Sequence, residues 1–90
     1  MLVEFTVWRN RPSGNGCSTV RDMPCVPRIG EYVSPLEEFC SFHVTLVRYD
    51  IANGNVSAEV EIEYGEGEEW ELFVEQARAE GWDTSRARPR

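Results

Sequence analysis

The chain has 90 residues, 41% of them apolar and ten of them aromatic, which suits one small folded domain with a modest core. Nine Arg and no Lys stand against sixteen Asp and Glu, for a net charge of −7, and this balance argues against docking on phosphate backbones or anionic membranes. The apolar runs are too short to span a bilayer and the first residues do not read as an export signal, so the expected location is the cytoplasm.

The acidic residues are unevenly placed. Nine of the sixteen fall between Glu59 and Glu80, opposed there only by Arg78, while residues 1–58 sum to −1 and residues 81–90 to +2. Such asymmetry bears on partners rather than on fold.

In chain order, Leu2 to Trp8 alternates with Val3, Phe5 and Val7 on one face, the pattern of a half-buried strand. Arg9 to Gly16 is rich in turn formers and is expected to be an exposed loop. Residues 17–26 are read as irregular, because Pro24 and Pro27 exclude a regular central strand around Cys25. Pro27-Arg-Ile-Gly-Glu-Tyr-Val33 then reads as a tight turn entering a strand. Phe39 to Tyr49 is a long strand candidate, with Cys40, Phe42, Val44 and Leu46 on one face and Ser41, His43, Thr45 and Val47 on the other. Asn53-Gly54 supplies a type I′ dipeptide for an antiparallel return. From Val56 to Tyr64, Val56, Ala58, Val60, Ile62 and Tyr64 alternate with Ser57, Glu59, Glu61 and Glu63, which places the glutamates in a row on a solvent face, ~6.8 Å apart by the strand rise.

After Gly65-Glu-Gly67 the period lengthens. Trp70, Phe73, Val74 and Ala77 follow i, i+3, i+4, i+7, predicting an amphipathic helix from Glu68 to Glu80 that ends at Gly81. Glu68, Glu69 and Glu71 in its first turns and Arg78 in its last suit the helix dipole. The expected architecture is α+β, a small antiparallel sheet or partly open barrel of four to five strands with one C-terminal helix. It forms a single domain over residues 1–82, followed by a mobile tail over residues 83–90.

Three cysteines are an odd set, consistent with reduced thiols. Cys17, Cys25, Cys40 and His43 have the count of a Cys₃His zinc site, although seven residues separate Cys17 from Cys25 where two to four would close a chelate loop, and a strand places Cys40 and His43 on opposite faces. The favoured reading has no metal and no cofactor. Catalytic motifs are likewise missing from the sequence: Gly14-Asn-Gly16 lacks the lysine of a phosphate loop, and one histidine among ordinary surface carboxylates offers little acid–base chemistry. The chain reads as non-catalytic.

The Pro27–Val33 segment resembles the turn that opens a strand in small bacterial and phage proteins with SH3-like barrels, which implies a fold and no site residues. In size, charge and lack of lysine the chain also resembles, as a class, acidic phage-encoded inhibitors such as anti-CRISPR and anti-restriction proteins. That likeness implies a protein working in the host cytoplasm that occludes a basic, nucleic-acid-binding surface of a protein partner without binding nucleic acid itself. The residues that would dock are Glu59, Glu61, Glu63, Glu66, Glu68, Glu69 and Glu71, with Trp8, Tyr32 or Arg48 as an anchor. The competing reading is a structural or adaptor subunit of a phage or bacterial assembly, with acidity serving solubility.

Overall fold

In the computed structural model, residues 1–9, 15–36, 41–62 and 67–87 are described, and they form a mostly-β α+β fold. The strands are β1 (Leu2–Arg9), β2 (Asn15–Asp22), β3 (Tyr32–Val33), β4 (Phe42–Asp50) and β5 (Asn55–Ile62), followed by helix α1 (Gly67–Ala79). They make one curled five-stranded sheet in the order β2-β1-β5-β4-β3. The sheet is mixed rather than antiparallel: β1 and β5, its two most sequence-distant strands, pair in parallel with Val7 opposite Val60, and the other pairings are antiparallel.

Val3 and Val7 on β1 and Ala58, Val60 and Ile62 on β5 are buried together on one face, as their alternation requires. Helix α1 lays Trp70, Phe73, Val74 and Ala77 on that face, all buried. Trp70 and Phe73 stack at 5.6 Å, and Trp82 meets Phe73 edge-on at 6.1 Å. The helix stops where Gly81 takes φ +87°. There the Gly81 N–H donates to Arg78 C=O and the Trp82 N–H to Ala77 C=O, the paired bonds of a Schellman cap, which turn Trp82 back onto the core.

Four expectations are corrected. Residues 15–22 are a regular strand antiparallel to β1, and the irregular stretch begins only after Asp22, where Pro24 forbids further pairing. In β4 a bulge between Val44 and Leu46 reverses the alternation, so that Val44 and Val47 face the core with Phe42 and Leu46 turns away. The β4–β5 loop is four residues long, 51–54, closed by the Gly54 N–H on Asp50 C=O and by the Asn53 N–H on the Asp50 carboxylate, with Gly54 at φ +72°. The beginning of the expected mobile tail is held in place: Asp83 exchanges two backbone hydrogen bonds with Ser18 on the free edge of β2, and Ala87 is buried. Among the described residues no helix is long and apolar enough to cross a membrane.

Candidate functional site

The side of the sheet away from α1 carries the outward set of each strand: Glu4, Thr6 and Trp8 on β1, Gly16 and Ser18 on β2, Ser57, Glu59 and Glu61 on β5, and Arg48 on β4. Trp8 organises it. Its indole lies against Gly16, where an added Cβ would come within 2.9 Å of the ring, so only glycine lets the ring rest there. On the other side the indole N–H donates to Glu59 Oε1 at 2.9 Å.

The C-terminal segment completes this face. Pairing of Asp83 with Ser18 and a bond from the Gly16 N–H to Arg86 C=O at 3.4 Å run the chain along β2, and the Arg86 guanidinium stands 6.0 Å from the Trp8 ring. The result is a polar cleft of about 360 Å³ whose walls include Glu59, Arg48, Arg86, Thr6, Ser18 and Ser57. Asp83 at its edge has its carboxyl held below the usual range by hydrogen bonds from Ser85. A shielded carboxylate beside two guanidinium groups and several hydroxyls can grip a polar group by hydrogen bonds.

The carboxylates singled out from the sequence do not form one row. Glu59 is only 6% exposed, bonded to Trp8, and this corrects the expectation that it lines a solvent face. Glu61 is half-buried beside Trp8 in the β1–β5 pairing. Glu63 and Glu66 lie outside the described residues, and Glu68 is placed by its backbone in the first turn of α1. Glu69 and Glu71 are exposed on the helix, and Glu75 and Glu80 extend that acidic face. Leu72, 55% exposed, stands among them.

The four candidate zinc ligands are also dispersed. Cys17 is buried in the core, and burial pushes its thiol up to about 12, away from the thiolate a metal requires. Cys25 is exposed beyond β2, His43 is exposed on β4 with its ring edge-on to Tyr32 at 6.1 Å, and Cys40 lies outside the described residues. Among the described residues no three His, Cys, Asp or Glu side chains converge as a metal site would need.

Sequence reasoning named Trp8 and Arg48 as anchors but missed Gly16 and Arg86. The available signal was an outward tryptophan on a strand, since a large ring on a polar face needs a flat floor and a partner for its N–H. No protein-family model matches this chain, and no curated protein or solved structure matches it either.

Proposed function

We propose that this protein is a non-catalytic binding module that docks the acidic outer face of α1 on a basic surface of a protein partner. The observation that carries the reading is Leu72: an apolar side chain 55% exposed, flanked on the same helix by the exposed carboxylates Glu69, Glu71 and Glu75. An apolar anchor within a charged rim is the anatomy of a protein interface. The opposite helix face, Trp70, Phe73, Val74 and Ala77, is buried, so the acidic face is presented on a fixed support.

Glu71 and Glu75, four residues apart on the helix, have Cβ atoms ~5–6 Å from one another, and a basic nucleic-acid channel would accept such carboxylates in place of phosphates. An inhibitor of a nucleic-acid-binding complex in the cytoplasm, the host's if the chain is phage-encoded, is the finer form of this proposal. Burial of Glu59 takes that residue out of the expected docking set and leaves the exposed Glu69 and Glu71 of α1 in it. The likeness to SH3-like barrels is supported by Gly30, at φ +91°, turning the chain into the short strand β3.

The test is capture of partners from a host lysate on the immobilised protein with elution by a salt gradient. A nucleic-acid-binding protein released at moderate salt, and lost when Glu69, Glu71 and Glu75 are replaced by Gln, supports the reading. Retention unchanged by that triple substitution refutes it.

One observation favours a second reading, a subunit of a larger assembly. Among the described residues, β4 from Leu46 to Asp50 has no strand on the side away from β5, and such an edge can take a strand from another chain. Self-association that persists at high salt would favour it.

A further inference from the structure

A second cavity lies on the core face of the sheet, beside the ground that α1 covers. It holds about 350 Å³, and its apolar walls include Phe5, Val7, Met23, Val33, Val60 and Trp82. At ~30 Å³ per water this is room for a ligand of about a dozen non-hydrogen atoms. The cleft is partly open to solvent at Arg21 and Tyr32, so a ligand can enter it without opening the core.

Two polar features set its chemistry. Trp82 is 6% exposed, and its indole N–H is buried with no hydrogen-bond acceptor among the described residues. Buried donors are ordinarily satisfied, so this one marks a position where an acceptor belongs. Arg21 also lines the cavity and is exposed; its guanidinium donates to Thr19 Oγ1 and Val20 C=O and has no carboxylate within ion-pair distance among the described residues. In a chain of net charge −7, an arginine at the rim of an apolar cleft with no ion-pair partner among the described residues is a cation available to an anion from outside.

We propose that this cavity is a binding site for a small amphipathic carboxylate, such as a medium-chain fatty acid. The hydrocarbon occupies the chamber walled by Phe5, Val7 and Val60, and the carboxylate accepts from the Trp82 N–H and is neutralised by Arg21. The site is independent of the acidic face of α1 and stands or falls separately from the docking proposal.

The experiment is calorimetric titration of the full chain with octanoate and, separately, with 1-octanol. Octanoate is expected to bind at one site per chain, at least tenfold more tightly than the alcohol. Arg21→Gln, on an exposed side chain, is expected to weaken octanoate about tenfold and leave the alcohol unchanged. Trp82→Phe keeps an aromatic wall, removes the donor, and is expected to weaken octanoate several-fold. Ala58→Leu, which fills the chamber from its β5 wall, abolishes binding of both; amide spectra of each variant establish that it is folded, and if Ala58→Leu is not, the Arg21→Gln comparison decides. Absence of saturable octanoate binding, or equal binding of acid and alcohol with Arg21→Gln and Trp82→Phe both silent, overturns the proposal.

Discussion

Replacing Trp8 by Phe tests whether the outer face is held by the indole–carboxylate bond. Glu59 is 6% exposed and accepts the Trp8 N–H at 2.9 Å. A hydrogen bond to a charged group contributes about 1.5–3 kcal/mol, and phenylalanine leaves a shielded carboxylate without that donor, so the loss is about 2 kcal/mol. For a domain of this size that lowers Tm by about 8–16 °C. Glu59→Gln retains an acceptor but removes the charge, which roughly halves the bond. Trp8→Phe then costs only about 1 kcal/mol in the Glu59→Gln background, and the double-mutant cycle should give a coupling of about 1 kcal/mol.

Urea unfolding followed by circular dichroism measures all four proteins without relying on tryptophan emission. Additivity to within about 0.5 kcal/mol would refute the bond as a stabilising contact. Gly16 supplies an independent check. An alanine Cβ would lie 2.9 Å from Trp8 Cε3 and 3.2 Å from Trp8 Cζ3. Gly16→Ala should therefore cost about 1–3 kcal/mol by overpacking in the native chain. It should cost less in the Trp8→Phe background, where the benzo ring that Cβ meets is gone and the 3.2 Å contact with Val7 C=O remains. Equal costs in the two backgrounds would mean the ring does not lie on Gly16.

Three further outcomes follow from the same structure. Phe73 is fully buried and Leu72, its neighbour, is 55% exposed, so Phe73→Ala should lose about 3–5 kcal/mol in chemical denaturation and Leu72→Ala within about 0.5 kcal/mol; similar losses would mean that the helix is rotated from its assigned face. Burial raises the Cys17 thiol from 9.0 to about 12, which means that the folded chain keeps a proton the unfolded chain releases. Stability is unaffected by Cys17 below pH 9 and falls between pH 9 and pH 12 by up to about 1.4 kcal/mol per pH unit, a slope that Cys17→Ala should flatten in alkaline denaturation series. Hydrogen bonds from Asn53 hold the Asp50 carboxyl below its ordinary 3.8, so its folded form favours the carboxylate and the turn weakens as pH falls through that depressed value; carboxyl-carbon NMR should show Asp50 moving toward 3.8 in Asn53→Ala.

The elements that could be read from the sequence are those whose side-chain pattern is local. β1, β5 and α1 each turn one periodic set of apolar side chains to the core, so period two or period 3.6 identified them without knowledge of their neighbours. β2 failed that reading because its core-facing residues are Cys17, Thr19 and Arg21, while its one aliphatic, Val20, faces outward and is 53% exposed. Its strand identity comes from the β1 backbone beside it, not from its own alternation. In β4 the single inserted residue at the bulge exchanges Leu46 for Val47 in the core, a shift that period-two reasoning cannot anticipate. The parallel β1–β5 pairing joins segments some fifty residues apart and leaves no short-range mark in either strand.

The same distinction separates the two surfaces that carry charge. Alternation placed Glu59 correctly on the side of β5 opposite Ala58 and Val60, but alternation specifies which way a side chain leaves the sheet and says nothing of what lies over it. What lies over Glu59 is Trp8, supported by Gly16 and capped by Arg86, residues from three other stretches of chain brought together only by the strand order and by the pairing of Asp83 with Ser18. The acidic helix face needs no such assembly, because i, i+3 and i, i+4 spacing alone gathers Glu69, Leu72 and Glu75 on one side while Trp70, Phe73 and Ala77 hold the other. The run of like charge is thus divided by the fold: Glu59 on the central strand β5 is absorbed into packing, whereas Glu69, Glu71 and Glu75 on the covering helix remain on the surface.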